Sequence, residues 1–357
     1  MSKNRRPTES QIIRGVERTL TDSFPPDWTL QVRFDVPEGD RSVDVLVEVR
    51  SPAGDTAALV IETKRVIEPR DIGSIADRTR DLAEGVADGI PIVAAAYLSP
   101  RSRSILDDRG VGYLDTTGNV RIRSASPGLF IWTRGADRDP WPQPHGLQSL
   151  RGRGSGRSVR AVVDFAPPFG IRELAAASDV SLASLVRVID LLGRDNLIAR
   201  EPRGPITAVD WKGTIQRWSE DYGQLRSNTV STYLEPRGFG TLGTNLTNTG
   251  IKYAATGAFA AQGFDPIAPA RTAAVYVEDP EGAAEILGLR ETDAGSNVTL
   301  LEPYDPVVFD RTIERGGLVC VAPSQLAVDL LTGPGREPSQ GDEILEWMER
   351  NEHVWRT

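Results

Sequence analysis

Two neighbouring segments of the chain have the pattern of β-strands. They are residues 42–50 and 57–66, and a turn containing Pro, Gly and Asp separates them. The first alternates apolar and polar residues with the period of a half-buried strand, and the second is an apolar run that ends in Glu-Thr-Lys. Two such segments on either side of a short turn predict an antiparallel hairpin within a sheet. Any half-solvated sheet shows the same pattern, so the alternation by itself indicates a fold and no chemistry.

Three charged side chains occupy this hairpin at a spacing that suits metal-dependent chemistry. Asp44 is on the first strand, and Glu62 and Lys64 are on the second. Residues i and i+2 of a strand share a face, so the Lys64 ammonium should emerge beside the Glu62 carboxylate. Carboxylate oxygens bind hard cations such as Mg²⁺, and a nearby ammonium can orient an attacking water. The alternative is that this Glu-x-Lys is simply a solvated strand face.

The elements predicted around the hairpin follow a definite order. An amphipathic helix comes first, with apolar residues from Ile12 to Leu20 on one face, and a strand follows at about 28–36. After the hairpin come a polar helix at about 71–86 and an apolar strand at 91–99. A buried parallel strand reached through a crossover helix has this pattern.

The order of elements and the D…ExK spacing resemble the PD-(D/E)XK nuclease superfamily over about the first third of the chain. The resemblance implies an α/β N-terminal domain of restriction-endonuclease-like fold, with Asp44, Glu62 and Lys64 as catalytic residues. It also implies a Mg²⁺ site, if cleavage is retained, formed by Asp44, Glu62 and Glu17 of the first helix.

Two positions depart from the family pattern. Val43 stands where the proline that names the superfamily would be, and the crossover helix offers Asp77 and Asp81 where many members carry Gln or Glu. The fold often persists as a DNA-binding or scaffolding domain. A retained fold therefore does not by itself imply retained cleavage.

Composition excludes several other kinds of site. The 357 residues are enough for two or three domains with their own cores. Cys320 is the single cysteine, which excludes an intramolecular disulfide and a cysteine metal cluster, and His145 and His353 lie in no motif. The net charge is −9, so any nucleic-acid contact must come from a local basic surface. Without a signal-like or membrane-spanning run, we expect a cytoplasmic protein with no membrane partner.

Shifts in composition and periodicity predict four consecutive parts. They are a nuclease-like domain at 1–137, a linker rich in Pro, Gly and Arg at 138–157, a winged helix-turn-helix at 158–211 and an α+β domain at 212–357. In the third part the helical spacing predicts three helices, the last capped by Ser181, followed by a two-stranded wing.

The winged helix predicts double-stranded DNA as a partner, because proteins of this kind place their last helix in the major groove. We expect the DNA contacts to come from the arginines of the linker and from exposed polar residues of the helices and the wing. These residues are Arg153, Arg157, Arg172, Ser181, Ser184, Arg187, Arg200 and Arg203. The alternative is that the same helices bind a protein.

A second family likeness lies in residues 93–122. Asp115 at the end of a predicted strand, followed by Gly118 and Asn119, is similar to a motif of AbiE-type antitoxin-like regulators, which also carry a winged helix downstream. The resemblance implies a homodimeric repressor of its own operon, with a cognate toxin or another protein as partner. For Asp115 and Asn119 we favour the alternative of ordinary turn chemistry, since Gly and Asn accept positive φ.

The C-terminal part has weaker signals. A helical stripe predicts packing in a core or interface. Its members are Trp211, Ile215, Trp218 and Tyr222. A later strand that enters a Thr-Gly-Ala turn is similar to the opening of nucleotidyltransferase-like folds. The acids that such enzymes need are absent from the next strand, and Glu278 and Asp279 come only at its end. The likeness therefore favours a degenerate, non-catalytic version, used for partner contacts or as a sensing pocket, over an active transferase.

Two functions compete. The first is a DNA-binding transcriptional regulator of antitoxin type that acts through the winged helix. The second is a Mg²⁺-dependent endodeoxyribonuclease, in defence or repair, that the winged helix brings to DNA. Beside these two stands a weaker alternative, an accessory protein of defence or repair that binds DNA through an inactive nuclease fold. The sequence favours the regulator, because the whole order of elements rather than one motif resembles it.

Overall fold

The structure is a computed structural model. It describes residues 6–38, 41–142, 146–201, 204–264, 269–292 and 294–357. The chain divides into two compact units. The first comprises Met1–His145 and Arg194–Asn196, and the second comprises Gly146–Gly193 and Leu197–Thr357. Across the described ranges, no helix is both long enough and apolar enough to cross a membrane.

The first unit is built on a seven-stranded mixed sheet whose strands lie side by side in chain order. The strands are β1 (Thr29–Glu38), β2 (Arg41–Arg50), β3 (Thr56–Lys64), β4 (Gly89–Ala95), β5 (Gly112–Asp115), β6 (Val120–Ser124) and β7 (Leu129–Thr133). The helices are α1 (Glu9–Ser23), α2 (Ile72–Glu84) and α3 (Pro100–Asp108). β3, β4 and β5 run parallel, and the other neighbouring strands are antiparallel.

Helix α1 covers one face of this sheet. Its stripe of Ile12, Val16 and Leu20 is fully buried. The stripe packs in one cluster with strand residues that include Val45 of β2 and Ile61 of β3. Alternation along a strand means that the neighbours of Val45 and Ile61 point to the opposite face.

Helix α2 covers that opposite face. Val60, which precedes Ile61 in β3, packs in a separate cluster with Leu82 and Ala83 of α2. The strands β3 and β4 are thus covered on both sides. This explains why they appear in the sequence as nearly continuous apolar runs.

The order of helix, three strands, helix and strand agrees with the prediction, and the predicted hairpin is formed by β2 and β3. The strand predicted at 91–99 ends earlier. Its pairing with β5 stops at the Ala95–Asp115 pair. Beyond that point the Leu98 N–H donates to the Asp115 side chain at 3.0 Å instead of to a strand neighbour.

The second unit contains another seven-stranded mixed sheet and a two-stranded hairpin. Its strands are β8 (Ile198–Arg200), β9 (Ile206–Val209), β10 (Thr229–Leu234), β11 (Tyr253–Thr256), β12 (Ala273–Val277), β13 (Arg290–Glu291), β14 (Val298–Glu302), β15 (Ile313–Arg315) and β16 (Leu318–Cys320). β8 and β9 form the hairpin, and the sheet has the order β13-β10-β14-β12-β11-β16-β15.

Helices surround both parts of the second unit. They are α4 (Arg153–Asp164), α5 (Ile171–Ala177), α6 (Leu182–Arg194), α7 (Trp211–Asp221), α8 (Gln224–Ser227), α9 (Phe239–Asn248), α10 (Gly257–Ala261), α11 (Pro280–Leu287), α12 (Pro323–Leu331), α13 (Glu337–Arg350) and α14 (Glu352–Trp355). The helices α4 to α6 and the hairpin β8–β9 fall within or next to the segment 158–211.

Helix α4 begins inside the stretch 138–157 that the sequence predicts as a linker. Val159 and Val162 on its inner side are fully buried. A Cβ atom at Gly156 would lie 1.9 Å from the Tyr304 hydroxyl, so this position requires glycine for close packing. Residues 153–157 are helical, and Gly156, which resembles linker composition in the sequence, allows close helix packing instead.

One apolar core runs through the second unit. It contains Leu185 of α6 and Ile215 of α7 together with Leu300 of β14 and Met348 of α13. The segments predicted as a winged helix and as a C-terminal domain are therefore packed together. The stripe predicted to be core or interface is buried, and its members are Trp211, Ile215, Trp218 and Tyr222.

An ionisable side chain lies within this core. Asp329 is fully buried. Its carboxylate accepts hydrogen bonds from Thr256 Oγ1 at 2.7 Å, Tyr222 Oη at 2.8 Å, Gln325 Nε2 at 2.9 Å and Tyr276 Oη at 3.1 Å. Burial raises the pKa of Asp329 to about 6, and the hydrogen bonds only partly oppose this.

We expect the free energy of unfolding to decrease as the pH rises through the pKa of Asp329. The folded protein holds this proton more tightly than the unfolded chain does. The resulting stabilisation is complete below the unfolded pKa of 3.8 and is lost above about 6. From about pH 5 to pH 7, the wild type should lose about 1 kcal/mol relative to Asp329→Asn. Urea unfolding at both pH values measures the difference, and equal losses in the two proteins would contradict the expectation.

Candidate active site

Asp44 and Glu62 lie where β2 and β3 stop pairing with each other. The last pair of their ladder is Val45 with Ile61. Strand β3 continues beside β4 as far as Lys64. Ile61 points to the sheet face that α1 covers. Glu62 and Lys64 lie one and three residues further along β3, so they point to the other face, which α2 covers.

Glu62 is a buried carboxylate with one oxygen paired. Its side chain is only 1% exposed. Oε1 accepts a hydrogen bond from Lys64 Nζ at 2.7 Å and lies 3.2 Å from Arg78 Nη2. Oε2 is buried and has no hydrogen-bond partner among the residues that the structure describes. An unpaired buried carboxylate oxygen is costly, and a hard cation would satisfy it, so the residues present fit a divalent metal ion.

Asp44 is positioned by the residue between Glu62 and Lys64. The backbone N–H and the hydroxyl of Thr63 both donate to Asp44 Oδ2, at 2.7 Å and 2.9 Å. Thr63 is fully buried, so these donors are fixed. The three side chains predicted to be catalytic are thus brought to the same end of the hairpin.

Thr63 and Arg78 also belong to this cluster, and the sequence pattern did not predict them. On the crossover helix, Asp77 instead pairs with Arg80 at 3.3 Å and with Arg109 at 3.0 Å. Asp81 is exposed. Helical spacing offers a signal for Arg78, since it lies four residues before the buried Leu82 and so on the side that flanks the sheet.

Glu17, predicted as a third metal ligand, is not part of the cluster. It is exposed on α1, which covers the other face of the sheet. Among the described residues, Glu17, Asp44 and Glu62 included, no group of three or more His, Cys, Asp or Glu side chains is placed to hold a metal ion. The periodicity of a helix does not reveal which sheet face the helix will cover.

Asp115 and Asn119 form a closed hydrogen-bond network, and both are fully buried. Asp115 Oδ2 accepts from the Leu98 N–H at 3.0 Å and from Asn119 Nδ2 at 2.8 Å. Its Oδ1 accepts from the N–H and the hydroxyl of Thr117 at 2.8 Å and 2.6 Å. Arg103 Nη1 donates to Asn119 Oδ1 at 2.5 Å. The protein itself satisfies these groups, which favours the turn-chemistry interpretation.

Substitution of Asp115 by alanine should destabilise the first unit by at least about 3 kcal/mol, because several buried donors would lose their acceptor. Urea or thermal unfolding of the full chain measures the change. Asp108→Ala is the matched control, since Asp108 is an exposed acid at the end of α3, and it should stay within about 0.5 kcal/mol of wild type. Equal stability of the two variants would refute the structural role of Asp115.

Helix α6 presents a mixed surface. Ser181 caps the helix, since its Oγ accepts from the Ser184 N–H at 3.2 Å, and the two hydroxyls lie 2.8 Å apart. Arg187 is exposed, but it shares the surface with Leu182 and Val186, which are 43% and 36% exposed. The serines expected to contact DNA are thus bonded to each other, and Arg187 Nη2 donates to Ser184 Oγ at 3.4 Å.

The arginines predicted to bind DNA differ in their surroundings. Arg157 donates from Nη2 to Asp305 at 2.7 Å, and this hydrogen bond raises the pKa of Arg157. Its charge is therefore compensated within the unit. The exposed members of the set are Arg153, Arg172, Arg187 and Arg200. Arg203 and His145 lie outside the described residues.

The acids at the end of β12 have local structural contacts. Glu278 forms an ion pair with Lys252 at 2.7 Å. Asp279 accepts a hydrogen bond from the Gly282 N–H at 3.1 Å and so caps α11. These contacts give no support to nucleotidyl transfer.

No protein-family model matches the chain, and no curated protein matches it. A repair endonuclease from Pyrococcus abyssi is similar at 15% identity over 32% of this chain and 49% of that one, with a TM-score of 0.23. EndoMS in its apo form is similar at 15% identity over 30% of this chain and 46% of that one, with a TM-score of 0.21. The chain thus spans about half the length of either structure, and likenesses this weak support no conclusion.

Proposed function

We propose that the first unit is a nuclease domain of PD-(D/E)XK type that cleaves DNA with Mg²⁺ as cofactor. The observation that supports this best is the buried Oε2 of Glu62, which has no hydrogen-bond partner among the described residues. Asp44 and Lys64 stand at the same strand end. A purely structural acid is expected to have both oxygens satisfied, as Asp115 does in the same sheet.

Each residue of the site has a defined task in this proposal. Mg²⁺, when bound, would supply a Lewis acid and lower the pKa of a bound water. Asp44 and Glu62 would hold the ion through carboxylate oxygens, and Thr63 keeps Asp44 in position. Lys64 keeps an ammonium 2.7 Å from Glu62, where it can orient water and stabilise the charge that develops on phosphorus-bound oxygens. Arg78 adds a second cation that suits a polyanionic substrate.

The test is plasmid nicking with Mg²⁺ or Mn²⁺. We expect the wild type to nick DNA only with metal, and Asp44→Ala and Lys64→Ala to slow nicking by at least about 100-fold, because they remove a metal ligand and the ammonium. Glu48→Gln, an exposed acid on the same strand as Asp44, and Glu17→Gln should keep the wild-type rate.

Absence of nicking by the wild type with both metals would contradict the nuclease. So would metal-dependent nicking that survives in Lys64→Ala and Asp44→Ala. A strong loss of nicking activity in Glu17→Gln would instead indicate that Glu17 is a metal ligand.

This preference reverses the one drawn from the sequence, which favours a regulator. The change rests on two features of the second unit. On α6 the exposed side chains include Leu182 and Val186, which cannot form hydrogen bonds with base edges. Arg157, expected at the phosphates, is paired with Asp305.

A DNA-binding regulator is our second candidate, and one arrangement favours it. The helices α4 to α6 followed by the hairpin β8–β9 have the order of a winged helix. Exposed arginines lie on α5, α6 and the hairpin, namely Arg172, Arg187 and Arg200. In this proposal the second unit binds an operator, the protein acts as a homodimer, and a cognate toxin is its protein partner.

Footprinting on the DNA upstream of the protein's own coding region tests the regulator. Arg187→Ala should weaken protection by at least about tenfold, since a base-contacting arginine contributes about 1–3 kcal/mol. Lys212→Ala, a partly exposed cation on α7 paired with Glu349, should leave protection unchanged. Protection that is absent, or equal in both variants, would refute base reading by α6.

A further inference from the structure

Two aromatic side chains are exposed on β7, the last strand of the first sheet. Phe130 is 59% exposed and Trp132 is 50% exposed. They are two residues apart and therefore share one face of the sheet, while Ile131 between them is buried on the other. Neighbouring large aromatic side chains left in water commonly mark a binding surface.

Arginines surround both rings. In the β6–β7 ladder, Arg121 is paired with Trp132, and Arg123 is paired with Phe130. The guanidinium of Arg121 lies 5.9 Å from the Phe130 ring centre, and that of Arg134 lies 5.1 Å from the Trp132 ring centre. We call these five residues the aromatic–arginine platform.

The platform has a net positive charge. Asp107 forms an ion pair with Arg121 at 2.7 Å and so compensates one of its three cations. Arg123 and Arg134 are exposed beside the rings. In a chain with a net charge of −9, cations beside exposed rings indicate a polyanionic ligand with aromatic groups.

The platform shares a sheet face with the candidate active site. Cross-strand pairs form one row that runs from Glu62 through Val93, Tyr113 and Arg121 to Trp132. Residues paired directly across a sheet point to the same side. Trp132 is therefore on the same face as Glu62, four strands away, or about 19 Å at the usual strand spacing.

We propose that the aromatic–arginine platform binds a single-stranded segment of nucleic acid. Bases stack on Phe130 and Trp132, and phosphates contact Arg123 and Arg134. A single strand suits this surface because its bases are free to leave their own stack, whereas a duplex hides the base faces. Combined with the proposed nuclease, on which this step rests, the platform implies DNA that has a single-stranded part about 19 Å from the cleaved bond.

Fluorescence anisotropy in EDTA tests binding without cleavage. The probes are a labelled 20-residue oligothymidylate and a 20-base-pair duplex, both titrated with the full-length protein. Phe130→Ala and Trp132→Ala should each weaken oligothymidylate binding by at least about fivefold, since one stacked base contributes about 1–3 kcal/mol. Trp132→Phe should keep most of the affinity, and duplex binding should change less than twofold in every variant.

Phe34→Ala is the matched control. Phe34 lies on β1 at the other edge of the same sheet and is 46% exposed, so its loss should leave oligothymidylate affinity unchanged. A second measurement concerns charge: Arg123→Ala and Arg134→Ala should each reduce the slope of log affinity against log salt by about 0.7, the value for one phosphate contact on a single strand.

Wild-type affinity for oligothymidylate in both Phe130→Ala and Trp132→Ala would overturn the proposal. So would sedimentation showing a wild-type dimer that Trp132→Ala converts to a monomer, because the platform would then be an interface between two copies of the chain. The result is independent of cleavage. Binding is measured in EDTA, so a failure of the nuclease proposal does not affect the platform proposal, and a failure of the platform proposal does not affect the nicking test.

Discussion

The antiparallel register of β2 and β3 decides which face of the first sheet can carry chemistry. With Val45 opposite Ile61, Val45, Val47 and Val49 of β2 fill the side under α1, and Glu62 and Lys64 emerge on the α2 side. A slip of one residue would place the carboxylate and the ammonium in the apolar cluster under α1. The two hydrogen bonds from Thr63 to Asp44 stabilise the observed register at the end of the ladder.

Glu62 and Asp115 are buried acids of one sheet with opposite environments. The protein provides both Asp115 oxygens with donors, and the carboxylate fixes the turn that follows β5. Glu62 has two cations at Oε1 and no hydrogen-bond partner at Oε2 among the described residues. The first arrangement stabilises the folded state more, because both buried oxygens have hydrogen-bond donors. In the second, the unpaired Oε2 of Glu62 lowers the stability of the folded state, and a bound cation would compensate this loss.

The sequence predicted the features that depend on neighbours along the chain. Strand patterns on both sides of a short turn predicted the hairpin of β2 and β3. Helical patterns predicted α1 and α2, and the serine before α6 predicted the cap at Ser181. Features that depend on distant packing were missed. Arg78 reaches Glu62 from another element, and Arg157 is paired with an acid 148 residues away. The glycines at the start of α4 resembled a linker, because only the folded unit shows Tyr304 against Gly156.

The continuous core of the second unit has a thermodynamic consequence. Leu185 of α6 and Leu300 of β14 belong to the same cluster, so the three helices and the C-terminal sheet lose their packing together. A ligand that binds either part of the native unit then raises the free energy of unfolding of both by mass action. A ligand bound at the helices would therefore also stabilise the sheet against unfolding, without any conformational change in the folded unit.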